Sequence, residues 1–504
     1  MGITPPALAT NVEDSLTLGI QSTKTTQIYP LDPEERDIVS IYNVVYESLV
    51  TIDDSYLPSP LLAESWEQTG NGKTWTFHLR EDVSFSDGTP MTAKDVVATA
   101  QYILDRANDE ESNTPGYYSN LKYFVDKITA TDDYTVVVRA KRSYYGLLYA
   151  MTFPVLKEDE VKSENPVGTG PYVISSFSPG GYIYLDVNEH WWQNQPQVKQ
   201  INCIIYSTPS EVIEAYQYAQ VDGIFTRSIA AAQYKSGTNS LAIEYRTNQL
   251  EVLLMNHSAS KLASVNVRKA IRYAVDADKI ASTVYMGMVE RTDTPMIPGT
   301  WTYNDTLENY FTTDLNEAKR LLAEDGWEDS NEDGILDKLD EDGSLISLKL
   351  NLYVYEEPDN NVRVETAELI VDELAEIGIS VTATTMSMSE VATKLSAGSF
   401  NLVLCSFAMD ICPDPGFLLM SGNTGNYCRY RSSDMTALCN DLRTCVTQGE
   451  YQQVLYAIQQ KFAEDCPFMC LFYRTGSVLT RKMYTTTRDV RELYLLKGIE
   501  SFQN

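Results

Sequence analysis

The sequence predicts an α/β protein, and three observations predict it. Stretches with a hydrophobic period of two alternate along the chain with stretches of period 3.6. No low-complexity linker or internal repeat interrupts the 504 residues. Composition is that of an ordinary globular chain, with 43% hydrophobic and 22% charged residues. Length alone sets an expectation of about two to four domains. Without a soft linker, those domains are expected to be joined by strands that cross between them.

Taken in order, residues 16–20 alternate as a strand, and a Tyr29-Pro30-Leu31-Asp32-Pro33 turn leads into a helical pattern over 37–50. Residues 75–79 alternate again, before Ser86-Asp87-Gly88-Thr89-Pro90, a turn by composition. Thr92 reads as a helix N-cap with Asp95 three residues on, and the apolar period runs to Leu104. Residues 134–139 are β-branched and read as a strand. Gly168-Thr169-Gly170-Pro171-Tyr172 punctuates the chain, its glycines expected to let the backbone turn, before strands near Val173 and over 182–187. Beyond Asn256, helices are expected over 265–275, 314–323 and 362–377, the last stopped by Gly378. Strands are expected over 345–355, 379–384 and 402–406.

Charge excludes one class of partner. Lys plus Arg number 39 against 70 Asp plus Glu, a net charge of −31. A nucleic-acid partner needs a basic footprint, and none is available. No run approaches the roughly 20 apolar residues that span a bilayer. The amino-terminal stretch lacks the charged start and apolar core of a leader, as expected either of a cytoplasmic protein or of one whose leader has been removed.

Seven of the eight cysteines lie between Cys405 and Cys470, with no CxxC pair, and the chain has three histidines, so a zinc site is not expected. Cys412 and Cys428 flank a loop and are the candidate disulfide; the alternative is buried free thiols that pack as small hydrophobes. One oxygen-rich stretch has the spacing of a calcium loop. Asp329, Asn331, Asp333, Asp337 and Asp340 fall at positions 1, 3, 5, 9 and 12, with Gly334 at the sharp turn. Asp at position 12 is shorter than the usual Glu, and the loop lies between a helix and a strand. Apart from a structural calcium there, no cofactor is expected.

Several segments, in this order, resemble the family 5 extracellular solute-binding proteins, which include dipeptide, oligopeptide and nickel binders of ABC importers. They are Leu31-Asp32-Pro33; Leu62-Ala63-Glu64-Ser65-Trp66; the stretch GKTWTFHLREDVSFSDGTPMTAKDVVATA over 72–100; Val167-Gly168-Thr169-Gly170-Pro171-Tyr172; and Asn188-Glu189-His190-Trp191-Trp192. The series continues with residues 267–276, VRKAIRYAVD, then Ala318-Lys319-Arg320-Leu321-Leu322 and Asp325-Gly326-Trp327. The resemblance implies a two-lobed periplasmic-binding-protein-like fold (class II, cluster C) with an extra inserted domain and a ligand cleft between the lobes. Domain I would take residues 1–41, 166–254 and 477–504, domain II 42–165, and domain III 255–476. It implies export, either to the periplasm or to a cell surface as a lipoprotein anchored through an N-terminal cysteine, a residue absent from the start of this sequence.

The resemblance also proposes a ligand site. Phe407-Ala408-Met409-Asp410-Ile411-Cys412-Pro413-Asp414-Pro415 resembles the family pattern of Trp, two residues, Asp, then Asp-Pro. Asp410 takes the position that pairs with a peptide's N-terminal ammonium in the peptide-binding members. A buried carboxylate facing a desolvated ammonium makes a strong charge-assisted bond. Phe407 replaces the family's Trp, and Cys412 is a further departure. Asp414 reads as bonding its own turn. Tyr144, Tyr145, Trp301 and Tyr427 are candidate cleft residues by approximate family position, drawn from 33 tyrosines whose flat faces and polar tips suit ligand walls.

The implied function is capture of a peptide or other small solute by hinge closure, by a monomer that delivers it to an ABC permease in the membrane. Oligosaccharides, nickel chelates and signalling peptides are the alternatives within the fold. A hydrolase is the alternative of another class, and no catalytic residue is assigned. Three histidines, none in a GxSxG-like context, leave a Ser-His-Asp enzyme without its base.

Overall fold

The computed structural model describes residues 14–33, 35–69, 71–109, 116–235, 241–340, 342–357, 360–486 and 490–502. Most of the amino-terminal stretch read above for a leader, residues 1–13, lies outside them. The chain forms two units. One comprises Met1–Thr247, Arg443–Thr447 and Thr475–Asn504, the other Asn248–Leu442 and Gln448–Arg474. Two of the crossings fall inside strands, Leu241–Met255 and Phe468–Thr480.

In the first unit, Ser15–Gln21 runs parallel to both Gln200–Tyr206 and Gly223–Thr226, with Leu18 opposite Cys203 on one side and Gly223 on the other. It is fully flanked, and Leu16, Leu18 and Ile20 are buried. Tyr182–Val187 and Tyr172–Ser178 extend the sheet antiparallel on one edge, and residues 477–480 pair antiparallel with Gly223–Thr226 on the other. A second, four-stranded antiparallel sheet orders Ala63–Thr69, Thr74–Leu79, Thr135–Ala140 and Val125–Asp132. Trp75, Phe77 and Leu79 fill its inner face at period two. The helix Ala93–Asn108 packs on it through Val96, Ala100, Ile103, Leu104 and Ala107. Each Val, Leu or Ile so buried contributes roughly 1.5–3 kcal/mol. Its N-terminus is the expected one. The Thr92 N–H donates to Asp95 Oδ2 at 2.8 Å in a capping box, and Asp95 Oδ1 also accepts from the Glu158 N–H at 2.9 Å.

Two expectations are corrected here. The helix expected over 37–50 is Arg36–Tyr42 only. Its apolar run leaves the helix because the carbonyls of Val44 and Val45 accept from the N–H groups of Tyr172 (3.0 Å) and Gly170 (2.9 Å). The glycines of Gly168-Thr169-Gly170 are therefore required by close approach and not by a turn. A Cβ on Gly168 would lie 2.1 Å from the Val45 carbonyl oxygen, and one on Gly170 2.7 Å from that of Val44.

In the second unit the strand order is Ser380–Met386, Lys349–Tyr355, Leu402–Ala408, Leu241–Met255 and Phe468–Thr480, with Val289–Arg291 beside the last. The first three run parallel and the fourth antiparallel. The helix Val362–Ala375 packs on the parallel pair through Ala367, Ile370 and Leu374. The strand expected over 345–355 is two strands, Leu345–Ser347 and Lys349–Tyr355. Leu348 sits between them, donating to Leu336 and accepting from Ser380.

Candidate functional site

The strand Leu402–Ala408 is apolar and buried through Cys405, then emerges at Ser406, Phe407 and Ala408. Its end is fastened to the neighbouring strand, with Phe407 opposite Leu250 and Ala408 opposite Gln249. One residue further, the Met409 N–H donates to the Asn248 carbonyl at 2.8 Å, and Asn248 Nδ2 donates back to the Met409 carbonyl at 3.0 Å. Asp410 is thus the first residue beyond a fixed backbone.

The loop after it is shaped by its own carboxylates. Asp410 Oδ1 accepts from the Cys412 N–H at 3.0 Å, and Asp414 Oδ1 from the Gly416 N–H at 2.8 Å, the local turn expected of Asp414. Phe407 stacks on Tyr427 with centroids 6.4 Å apart and planes 13° apart, and meets Phe417 edge-on at 6.2 Å. Trp301 lies 6.2 Å from the ring of Tyr451, whose hydroxyl donates to the Pro413 carbonyl at 3.3 Å. Phe407, Asp410 and Tyr427 therefore cluster, and Trp301 reaches the same loop through Tyr451. Asp410 is exposed, so this unit's own residues do not supply the desolvation that an ammonium anchor exploits.

Tyr144 and Tyr145 belong to the first unit. Tyr144 is buried and stacked on Phe124 at 5.4 Å and 8°, while half-buried Tyr145 donates its N–H to the Cys445 carbonyl at 2.8 Å.

Sequence reasoning missed what lies behind the emerging strand. Glu251 stands alone in an apolar run, and both its oxygens accept from Arg363 Nη2, at 2.8 and 3.0 Å. Arg363 Nη1 donates to Glu357 Oε1 at 2.7 Å, and Arg474 Nη1 and Nη2 donate to Glu357 Oε2 at 3.1 Å. The Arg363 and Glu251 side chains are each 1% exposed. Ser406 Oγ joins the network, accepting from Gln249 Nε2 at 3.0 Å and from Arg363 Nη2 at 3.3 Å. Buried charges paired through these hydrogen bonds brace the strand at Ser406, the residue before Phe407. The one legible signal was an acid inside an apolar strand. An open cavity of about 640 Å³ adjoins the network, lined by Tyr355, Glu357, Asn360 and Met388 among others.

The acidic loop is closed on itself. Asp329 accepts from the N–H groups of Asp333 (3.1 Å) and Gly334 (3.0 Å), Asn331 from Asp333 (2.9 Å), and Asp333 from Ile335 (2.8 Å). Asp340 accepts from Asp342 and Ser344, outside the loop. Asp337 is buried, and its Oδ1 has no hydrogen-bond partner. Among the described residues no three acidic, His or Cys side chains converge on a metal position. All eight cysteines are buried, and Cys428 keeps its thiol, which donates to Asn426 Oδ1 at 3.3 Å, so the expected Cys412–Cys428 disulfide is not formed. No helix of the described residues is long and apolar enough to cross a membrane.

A family model described as bacterial extracellular solute-binding proteins, family 5 middle, matches residues 58–427. The oligopeptide-binding protein AppA of Bacillus subtilis is 26% identical over 477 residues, which covers 90% of this chain and 84% of that protein. The heme-binding protein A of Haemophilus influenzae is 26% identical over 448 residues, covering 83% and 79%. The solved structure of Bacillus subtilis AppA in complex with a nonapeptide matches with a TM-score of 0.71 at 22% identity, over 97% of this chain and 99% of that one. The α/β fold expected from the sequence is the fold these proteins share.

Proposed function

We propose that this chain, which belongs to the bacterial extracellular solute-binding proteins of family 5, captures peptides outside the cytoplasm for an ABC importer. The observation that carries the reading is Asp410: an exposed carboxylate on a fixed strand end, next to the Phe407–Tyr427 stack. A carboxylate so placed offers a charge-assisted bond to a free N-terminal ammonium, and the aromatic pair offers an apolar wall that tolerates varied side chains. The oligopeptide-binding relative supports the same ligand class.

In this reading the chain acts as a monomer, capture is coupled to hinge closure, and the liganded form is handed to membrane permease subunits. The ligand drives closure only through contacts made better in the closed state. Closure would then supply the desolvation that exposed Asp410 lacks. No chemistry is performed on the solute, and the protein is not an enzyme.

The test is a thermal-shift scan with free-amine peptides of two to eight residues beside their N-acetylated twins. A ligand present at 100 times its Kd adds about 2.7 kcal/mol of stability. Free-amine peptides are expected to raise Tm while acetylated twins do not. Asp410→Asn is expected to weaken the free-amine peptides at least about 30-fold, the lower end for removing one partner of a desolvated charge pair. Equal response to both twins would remove the anchor role from Asp410. No response to any peptide would move the ligand to a sugar or a metal chelate within the same fold.

A further inference from the structure

The second unit holds another cavity, of about 330 Å³, between the last turn of the helix Met388–Ala397 and the loop over 421–431. The charged side chains that line it are Arg429 and Arg431, and no carboxylate does. In a chain of net charge −31 this is against the background. Arg227, Arg272, Arg320, Arg363 and Arg474 each meet a carboxylate. Among the described residues Arg429 and Arg431 meet none.

The arginines are carried by a fixed backbone. Asn426 ties the loop to itself: its Nδ2 donates to the carbonyls of Met420 (3.1 Å) and Tyr430 (2.8 Å), and its Oδ1 accepts from the Tyr430 N–H (3.0 Å) and the Cys428 thiol (3.3 Å). Arg429 takes a left-handed backbone angle, φ 59°, which is uncommon for a residue with a Cβ. Its guanidinium lies over Gly398, the cap that ends the helix, where a Cβ would overlap Arg429 Nε. Nη2 donates to the Ser396 carbonyl at 3.2 Å, which occupies one of the five N–H donors of the fork. The carbonyl end of the helix thus seats this guanidinium and leaves its charge without a counterion. The Arg431 guanidinium makes no hydrogen bond among the described residues. Both side chains are exposed and within reach of a solute. Ser421 and Thr424 also line the cavity, and among the described residues their hydroxyls are unbonded.

The chemistry of the wall selects the ligand. Two cations without an acid between them repel a cation and leave a neutral solute no advantage. The guanidinium fork matches the paired oxygens of a carboxylate or a phosphate, and hydroxyl donors add to the same charge preference. Two forks match two negative charges. The volume stands at the lower end of the range for small-molecule sites, about 300–1,000 Å³. We propose that this cavity binds a small doubly charged oxyanion, a phosphate or a dicarboxylate, through Arg429 and Arg431. The site does not rest on the peptide reading of Asp410.

The experiment is isothermal titration of the full chain with inorganic phosphate, succinate and acetate at pH 7.5, in chloride of matched ionic strength. At least one dianion is expected to bind more tightly than about 1 mM, and at least about fivefold more tightly than acetate. Binding of phosphate alone assigns a phosphate group, of succinate alone a dicarboxylate, and of both the charge they share. Arg431→Gln, which removes no bond of the fold, is expected to weaken the dianion at least about fivefold without moving Tm, and Arg429→Gln to weaken it likewise. Arg320→Gln deletes the same charge from an exposed helix elsewhere and is expected to leave the affinity unchanged. No dianion tighter than about 1 mM overturns the proposal. So does acetate binding as tightly as the dianions, wild-type affinity in Arg431→Gln, or an equal loss in Arg320→Gln. Because the readout uses no peptide, its failure leaves the peptide reading where it stood.

Discussion

Glu47 and His257 draw the pH dependence of stability in opposite directions. Burial raises the Glu47 carboxyl from 4.5 to about 7, so between those values the folded chain holds a proton that the unfolded chain has released. Stability contributed by this group is greatest below about 4.5 and falls as pH rises through 7, by roughly 3 kcal/mol for a shift of this size. His257 is lowered from 6.5 to about 4 by burial and by the Arg268 guanidinium, while its Nε2 lies 2.9 Å from the Pro467 carbonyl. Here the unfolded chain takes the proton, so stability is complete above 6.5 and is lost as pH falls toward 4. Denaturant titrations at pH 5 and pH 7.5 are expected to show Glu47→Gln gaining relative to the wild type at the higher pH, and His257→Gln gaining at the lower. Neither residue advertised its setting in the sequence. Asp414 did, because its partner is two residues away, whereas the Trp191 and Trp192 indoles that donate to Glu47 come from a segment about 145 positions on.

The network of Glu251, Arg363, Glu357 and Arg474 joins a helix, two strands and a loop in the second unit. Removing one partner leaves a buried charge unmatched, so Arg363→Met is expected to destabilise that unit by about 3–5 kcal/mol. Equilibrium unfolding reads the loss, and peptide affinity should fall with it through Ser406 and Phe407. The acidic loop makes the opposite prediction. The oxygens of Asp329, Asn331 and Asp333 already accept from the loop's own backbone, so millimolar calcium is expected to leave Tm unmoved. A rise of several degrees, abolished by Asp337→Asn, would show that the ion gathers the ligands. Local signals were read well at this scale: the Thr92–Asp95 cap and the Gly378 stop both stand where their residues placed them. The helix expected to continue to residue 50 failed because Val44 and Val45 pair with backbone more than 120 positions away, and periodicity carries no trace of such a partner.

For the molecule as a whole, fold class was legible because it is written many times over, in alternating periods and in motifs spread across nearly all of the chain. Of the proposed ligand site, the sequence offered Phe407, Asp410 and Tyr427, which lie on one strand end and a loop close to it in sequence. The charged network that reaches Ser406 was not legible, since Glu251 and Arg363 stand 112 positions apart.

The order in which the chain enters and leaves its two units has a consequence in time. Every residue of the second unit has been synthesised once Arg474 is added. The first unit begins earlier but still lacks Thr475–Asn504, the segment that pairs with Gly223–Thr226. A nascent chain can therefore complete the part that carries Asp410 while its own beginning waits for its end. A ribosome stalled just after Arg474 would leave a finished second unit attached to a first unit with an unpaired strand edge.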